Sequence, residues 1–191
     1  MLPLRFVLPP FLLLCACATQ EAIPTPMSRT TLFDFSDPSA ARAWRSIDDV
    51  VMGGRSASAL EFLGDRAVFR GVVSLENNGG FASVRSLPSE LGLAGQSGLE
   101  LDLIGDGHAC KLGLRLDEDF DGTTYQATFT APAGRRSLVR IDFAELVPTF
   151  RGRRVPGAPA FEPARATQLG LLVGDKQAGP FSIELFAIRA Y

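Results

Sequence analysis

The chain has 191 residues, with 19 lysines and arginines against 21 aspartates and glutamates, which gives a formal net charge of −2 at pH 7. This balance argues against a nucleic-acid-binding protein, because such proteins carry a basic excess. A single histidine excludes a metal site built from several histidines. The chain carries no nucleophile elbow, phosphate-binding loop or His-Glu-x-x-His motif, so we predict no catalytic residues and no cofactor.

Residues 1–16 have the character of a bacterial targeting segment. Their apolar run ends by Ala18, well short of the roughly 20 residues that span a bilayer. The run closes with Leu14-Cys15-Ala16-Cys17, which resembles a bacterial lipobox and predicts lipidation at Cys17. Because Ala18 rather than aspartate follows, we expect anchoring at the periplasmic face of the outer membrane, through the lipid alone. The alternative is an ordinary secretory signal that is cleaved nearby.

Residues 17–31 are polar, contain Pro24 and Pro26, and are predicted to form a flexible tether. Residues 32–191 are then predicted to form a single domain. If Cys15 leaves with the signal and Cys17 carries lipid, Cys110 is the remaining thiol. One thiol cannot form an intramolecular disulfide, so the domain must be stabilised by its core.

Most of this domain alternates between apolar and polar side chains in short runs that are separated by Gly, Pro and Asp. The pattern is typical of strands that bury one face, and it predicts an all-β antiparallel sandwich or barrel. Asp37 before Pro38 predicts one helical turn over residues 37–43. The proline-rich residues 144–164 are predicted to form a long loop. The predicted core residues are Trp44, Phe69, Phe81, Leu114, Phe129 and Ile183.

Two stretches, residues 48–56 and 76–86, each contain a Gly-Gly pair among charged and hydroxyl side chains. Between them, residues 57–63 and 66–75 are predicted to form a hairpin around Gly64-Asp65. Such a hairpin would return both glycine pairs to the same end of a sheet. The pairs are either simple turns or places where another group approaches the backbone closely.

His108 and Cys110 would lie on the same face of a strand, so the geometry allows a nucleophilic Cys–His pair. The simpler interpretation is a buried thiol beside a turn histidine, because no orienting group or oxyanion site is evident nearby.

Asp117, Asp119 and Asp121, followed by Gly122, match the opening of a calcium loop. Thr128 stands where a closing glutamate is expected. The sequence therefore leaves two alternatives for this stretch, a weak calcium site and an acidic, solvent-exposed turn.

Several motifs together resemble the complex I intermediate-associated protein 30 family. In chain order they are Trp44 with residues 49–56, then residues 69–71, 76–85, 105–107, Phe129, residues 150–152 and residues 170–181. The resemblance implies a galactose-binding-like β-sandwich, a jelly roll, in agreement with the alternation. It also implies a role in the assembly of respiratory complex I. A chain anchored in the envelope would, however, lie across the membrane from the arm where such assembly takes place.

The glycine-rich blocks supply the candidate site. We expect these blocks to meet in space and to bring together Asp49, Arg55, Ser56, Asn78, Arg85, Asp175 and Lys176. Within this cluster, Asp49 and Arg85 either form a buried ion pair that fixes the loops or line a ligand site.

The predicted function is that of a non-enzymatic binding module of the bacterial envelope, with an unknown protein partner or an assembly role that resembles a chaperone. The alternative is a carbohydrate-binding jelly roll on the envelope, which rests on fold analogy. An enzyme would need titratable residues that converge in a pocket, and no pair of residues stands at a diagnostic spacing. A broad exposed apolar patch would favour a protein partner.

Overall fold

The computed structural model describes residues 29–119, 121–130 and 132–191. The predicted targeting segment, Cys17 and nearly all of the predicted tether lie outside the described residues. Within the described ranges, no helix is long and apolar enough to cross a membrane.

Short strands dominate the described residues. They are β1 (Thr30–Asp34), β2 (Trp44–Ser46), β3 (Ala57–Phe62), β4 (Ala67–Val73), β5 (Ala82–Ser86), β6 (Gly98–Ile104), β7 (Ala109–Arg115), β8 (Thr124–Thr130), β9 (Arg136–Asp142), β10 (Val147–Phe150), β11 (Arg153–Arg154), β12 (Gln168–Val173) and β13 (Gly179–Ala190). Short 3-10 turns occur at Asp49–Met52, Glu76–Asn78, Phe143–Glu145 and Pro163–Arg165.

The strands form two antiparallel sheets within the described ranges. Sheet I has the order β3-β4-β13-β6-β9, with β1 also paired to β13. Sheet II has the order β11-β10-β8-β7-β12-β5-β2. The two sheets pack their apolar faces around a shared buried cluster, so the predicted all-β antiparallel sandwich is confirmed.

The helical turn and the hairpin also agree with the sequence. The helix α1 (Pro38–Arg42) begins after Asp37, whose carboxylate accepts the Ser39 backbone N–H at 2.8 Å, as expected for an N-cap. The predicted hairpin is β3 and β4, paired from Ala57 with Val72 to Phe62 with Ala67.

Two expectations about the body of the domain need correction. Trp44, Phe69, Leu114, Phe129 and Ile183 are buried as predicted, but Phe81 is only half-buried. It precedes β5, in which Ala82, Val84 and Ser86 face inward, so the alternation directs Phe81 outward. The predicted loop at residues 144–164 also contains β10 and β11, which extend sheet II beyond β8.

Candidate functional site

The carboxylate of Asp49 holds the two Gly-Gly turns together. Asp49 is fully buried, and its Oδ1 accepts the Ser56 backbone N–H at 2.8 Å. Its Oδ2 accepts the Ser56 hydroxyl at 2.5 Å and the backbone N–H groups of Gly80 at 2.7 Å and Phe81 at 3.2 Å. We call Asp49 and these three partners the Asp49 clamp. It ties together the ends of β3 and β5, which belong to different sheets.

The glycine pairs are explained by this carboxylate. A Cβ on Gly79 would lie 2.5 Å from Asp49 Oδ2, and a Cβ on Gly54 would overlap the same carboxylate. Gly53 has φ +88° and Gly80 has φ +138°, a backbone region that side chains with a Cβ rarely adopt. In each pair, one glycine turns the chain and the other admits the carboxylate.

The neighbouring carboxylate of Asp48 also accepts hydrogen bonds from both sheets. Its Oδ2 accepts the Ser58 backbone N–H at 2.7 Å, and its Oδ1 accepts the Ser58 hydroxyl at 2.6 Å. Oδ1 also accepts the backbone N–H of Ser83 at 2.9 Å. Two adjacent carboxylates therefore fasten the β3 end of sheet I to the β5 end of sheet II.

The electrostatics of Asp49 indicate a structural residue. Burial raises the pKa of its carboxyl, but the hydrogen bonds from Ser56, Gly80 and Phe81 outweigh burial and hold the pKa below its ordinary value. Asp49 is therefore ionised at neutral pH and sealed from solvent by its own donors. A carboxylate in this state is badly placed to contact a ligand or to transfer a proton.

The predicted cluster is spread along this end of the sandwich. Ser56 belongs to the Asp49 clamp, and Arg55 forms a surface ion pair with Glu76 at 2.9 Å. Asn78 has φ +59° in the second glycine-rich turn. A Cβ on Gly174, in the third block, would lie 3.4 Å from the Cβ of Phe81. The three blocks therefore adjoin in space.

The predicted Asp49–Arg85 ion pair is wrong. The Asp49 carboxylate is occupied by the donors of its clamp, whereas alternation along β5 places Arg85 on the outer face of sheet II. Asp175 instead pairs with Lys111, at 2.5 Å from Oδ1 to Nζ. Lys176 follows in the same turn with φ +62°. The cluster therefore divides into the Asp49 clamp, the loop residues Arg55 and Asn78, and residues that border sheet II.

His108 and Cys110 do not form a nucleophilic pair. The His108 Nδ1 lies 2.9 Å from Asp106 Oδ1. Cys110 faces the core, and its thiol contacts the His108 carbonyl oxygen at 3.6 Å. Burial, with a smaller contribution from the Asp106 charge, raises the pKa of the Cys110 thiol to about 12. A protonated, buried thiol is a poor nucleophile.

The acidic loop, which carries Asp117, Asp119 and Asp121, contacts two arginine side chains. Arg115 Nη2 lies 3.2 Å from Asp117 Oδ1 and 2.5 Å from the Asp119 carbonyl oxygen, and the Arg151 guanidinium contacts the Asp121 carboxylate through two nitrogens. In the part of the chain that the structure describes, no three His, Cys, Asp or Glu side chains are placed to hold a metal ion. The structure therefore does not support a calcium loop.

A row of outward-facing residues crosses sheet II from one side to the other. Strand pairing places Gly170 beside Gly113 at the centre of the sheet. The full row, in the order of cross-strand partners, is Arg45, Arg85, Gly170, Gly113, Gln126 and Val147. Gly170 is half-buried and Gly113 is buried, and a Cβ on Gly113 would lie 2.8 Å from Thr124 Cγ2.

Side chains on either side of this row form the walls of a shallow surface groove, which we call the sheet II groove. One wall follows Ser83, Leu172, Lys111 and Thr128, and the other follows Gln168, Arg115, Thr124 and Thr149. Adjoining depressions run along the groove and share Arg85 at one end and Lys111 with Gln126 at the other. The lining mixes hydroxyl, amide and cationic groups with apolar side chains, and Glu145 and Glu118 line the two outer depressions.

Arg85 and Arg115 form the charged centre of the groove. Burial lowers the pKa of the Arg85 guanidinium and the Arg115 cation lowers it further, whereas Asp117 and Asp121 raise it. Arg115 is itself almost wholly buried and is held by the acidic loop. The cations of the groove are therefore oriented by carboxylates at its rim.

Sequence reasoning listed Arg85 but missed the rest of the groove. Lys111, Gly113 and Arg115 alternate with buried leucines in β7, and this signal already places them on the outer face. The strand order, which sets Gly170 beside Gly113, was not accessible from the pattern.

An exposed apolar tip adjoins the Asp49 clamp. Val50, Val51 and Met52 are 61%, 59% and 59% exposed in the 3-10 turn that Asp49 begins. Leu75, which is 46% exposed, lies beside the second glycine pair, because a Cβ on Gly80 would be 3.5 Å from its Cδ2. The tip is thus an apolar surface on a turn that the clamp holds in place.

The fold and the groove define an all-β sandwich with a shallow groove on the outer face of one sheet. The chain belongs to the complex I intermediate-associated protein 30 family, whose family model matches residues 33–185. It is also similar to an uncharacterized protein, C9E9.15, of Schizosaccharomyces pombe, with 29% identity over 168 residues that cover 77% of each chain.

Solved structures with a similar fold include carbohydrate-binding modules. A family 11 module from Clostridium thermocellum, solved in complex with a β-1,3-1,4-mixed-linked tetrasaccharide, superimposes with a TM-score of 0.64 and 12% identity, covering 87% of this chain and 96% of that chain. The family 11 module of the cellulase Lic26A-Cel5E from the same organism gives a TM-score of 0.65 at 11% identity, covering 87% and 95%. The agarase AgWH50C matches over 24% of its length, covering 85% of this chain at 11% identity, with a TM-score of 0.56. At these identities, the likeness shows the fold alone.

Proposed function

We propose that the protein is a non-catalytic glycan-binding module and that the glycan lies in the sheet II groove. The observation that carries this proposal is the shallow groove on the outer face of sheet II, where guanidinium, amide and hydroxyl groups stand around Gly113 and Gly170. Sugars present dense sets of hydroxyl donors and acceptors, which such side chains can bind directly.

The fold neighbours support this class of ligand without deciding it, since one of them was solved with a bound tetrasaccharide. The ligand class therefore rests on the residues of this groove. Gln126 is the most informative of them, because it borders both Gly113 and the depression that continues towards Thr128.

Isothermal titration calorimetry with neutral and acidic oligosaccharides tests the proposal. We expect at least one sugar to bind the native protein, and Gln126→Ala to weaken that binding about threefold to tenfold, which corresponds to one lost hydrogen bond. The matched control is Gln96→Ala, in the turn before β6 of sheet I, which should bind like the native protein. If no sugar in the panel binds, or if both variants lose affinity equally, the proposal fails.

A second candidate function is the binding of a protein partner, in an assembly role of the kind that the family name describes. The exposed tip at Val50, Val51 and Met52 supports it, because three adjacent apolar side chains on a fixed turn form a compact contact surface. Two variants distinguish this candidate function from glycan binding. Val51→Asp should abolish capture of a partner and leave sugar binding intact, whereas Gln126→Ala should weaken sugar binding and leave capture of the partner intact.

The proposed site of action is the bacterial envelope, with the chain anchored through a lipid on Cys17. Cys17→Ser removes the acceptor thiol and should move the protein from the membrane fraction to the released periplasmic fraction, as measured by immunoblotting after fractionation. Cys15→Ser is the matched control and should remain with membranes. Persistence of Cys17→Ser in washed membranes would contradict the anchor.

A further inference from the structure

The largest of the three depressions along the sheet II groove lies over β8, between β7 and β10. This space, which we call the β8 depression, measures about 360 Å³, compared with about 50 Å³ at the centre of the groove and about 130 Å³ at the other end, beyond Arg85. Sites for small molecules usually measure roughly 300 Å³ or more, so the β8 depression has room for a sugar ring. The centre does not, because Thr124 already fills the space where a side chain on Gly113 would stand.

Three polar side chains line the β8 depression. Gln126 and Thr128 face outward from β8, where they alternate with buried residues, and Glu145 ends the 3-10 turn Phe143–Glu145. Within the described ranges, these three side chains form no hydrogen bond or ion pair with another residue. They can therefore bond to a ligand without breaking a contact of the fold.

The position of Glu145 is fixed by its neighbours in the chain. Phe143 and Leu146 are both buried, and the Leu146 backbone N–H donates to the Phe143 carbonyl oxygen at 3.3 Å. Phe143 also packs edge-on against Phe161, with 5.1 Å between the ring centroids. Glu145 itself is exposed. Because its backbone is held on both sides, less conformational freedom is lost when its carboxylate binds a ligand.

The three side chains are close enough to contact one sugar ring. Gln126 and Thr128 are about 7 Å apart along β8, and the neighbouring β10 lies about 5 Å to one side. Val147 of β10 is the cross-strand partner of Gln126, so Glu145, two residues earlier in this antiparallel pair, lies on the Thr128 side. The amide, the hydroxyl and the carboxylate therefore border a common space.

The charges around the groove favour a neutral ligand over an acidic one. Lys111, which also lines the β8 depression, pairs with Asp175 at 2.5 Å. Arg115, at the centre of the groove, lies 3.2 Å from Asp117. These cations are therefore already matched by carboxylates. Glu145 adds a further carboxylate, whose two oxygens can accept hydroxyl hydrogen bonds but would repel a second carboxylate.

We propose that the β8 depression holds one neutral sugar ring of the glycan. Two adjacent hydroxyls of that ring donate to the Glu145 carboxylate, and Gln126 and Thr128 bond to its other polar groups. This inference rests on the proposed function and adds the class of sugar and the place where one ring is held. It assigns Glu145 the main role in specificity, because its carboxylate accepts paired hydroxyls and disfavours an acidic ring.

Calorimetry on the purified full chain tests the role of Glu145 with two neutral probes, the β-1,3-1,4-mixed-linked tetrasaccharide and the methyl ester of a galacturonic acid trimer. Glu145→Gln keeps the shape of the side chain but removes its charge, so we expect the neutral probe that binds to do so at least about tenfold more weakly. The matched control is Glu118→Gln, which removes an exposed carboxylate at the other end of the groove. This variant should bind within about twofold of the native protein.

The galacturonic acid trimer, compared with its methyl ester, tests the class of sugar. Esterification removes the charge and keeps the ring hydroxyls. We expect the native protein to bind the ester at least about threefold more tightly than the acid, and added salt to reduce this difference by screening the repulsion. Glu145→Gln should bring the two affinities within about twofold of each other, since it removes the repelling carboxylate.

Each contrary result overturns a separate part of the inference. Tighter binding of the acid than of its ester would overturn the neutral class of sugar and leave the proposed function standing. Native affinity in Glu145→Gln, or an equal loss in Glu118→Gln, would overturn the assignment of the ring to the β8 depression, again without touching the proposed function. If no sugar binds, the proposed function fails with it. The comparison of acid and ester on the native protein decides the class of sugar even if Glu145→Gln does not fold.

Discussion

Replacement of Asp49 by alanine is expected to lower the free energy of unfolding by about 3–5 kcal/mol. The change removes the acceptor for the backbone N–H groups of Ser56, Gly80 and Phe81 and for the Ser56 hydroxyl. Because the site is buried, these donors would lose their partner where water cannot easily replace it. Chemical denaturation monitored by the fluorescence of Trp44, the sole tryptophan, measures the loss.

The control for this variant is Asp65→Ala, whose carboxylate is 72% exposed and pairs with the adjacent Arg66. We expect it to cost less than about 1 kcal/mol, as is usual for exposed ion pairs. A loss below about 1 kcal/mol in Asp49→Ala as well would show that the clamp does not hold the two loops.

The Asp49 carboxylate should also make the stability of the fold depend on pH. Because folding lowers the pKa of Asp49 below its ordinary 3.8, its ionised form stabilises the fold above that pH. This contribution is lost as the pH falls below 3.8 towards the folded pKa. The native protein should therefore lose more stability than Asp49→Asn between pH 5 and pH 2, roughly the window over which such a carboxylate titrates.

Phe69→Ala is expected to cost about 3–5 kcal/mol, the range for truncation of a buried phenylalanine. The Phe69 ring is fully buried in β4, and its centroid lies 4.8 Å from that of Phe181 in an edge-on arrangement. The alanine variant would leave a cavity between the sheets. Thermal and denaturant unfolding of the native and variant proteins measure the effect.

Phe150→Ala is the matched control, because its ring is 40% exposed at the end of β10. It should cost less than about 1 kcal/mol. If the two variants lost equal stability, Phe69 would not be a core residue and the packing of the two sheets would need revision.

Much of the fold was predictable because its strands bury one face each. The alternation in β7 and β13 directly separates inward from outward side chains. The exception, Phe81, precedes a strand whose inward positions begin at Ala82, so its hydrophobic character was a poor guide to its burial. The extension of sheet II by β10 was hidden for another reason, since Pro148 sits within that strand and proline normally argues against a strand.

The meeting of the glycine-rich blocks was predictable, but the Asp49–Arg85 pair was wrong, and of the sheet II groove only Arg85 was predicted. The Gly-Gly pairs correctly indicated a close approach, but the approaching group is the chain's own Asp49 carboxylate. The expected partner, Arg85, stands on the other side of β5 from the core. The groove depends on Gly113 and Gly170, which are distant in the chain and become neighbours only through the order β5-β12-β7-β8. No local sequence pattern indicates this order of strands.

The claim that the sheet II groove is the ligand site is tested most directly by chemical-shift mapping on isotope-labelled protein. On titration with an oligosaccharide that binds in the calorimetry panel, the largest changes should fall on the backbone amides of Arg85, Gly113, Gln126 and Gly170, with little change in sheet I. Changes centred instead on Val50, Val51 and Met52, or on the outer face of sheet I, would contradict the account.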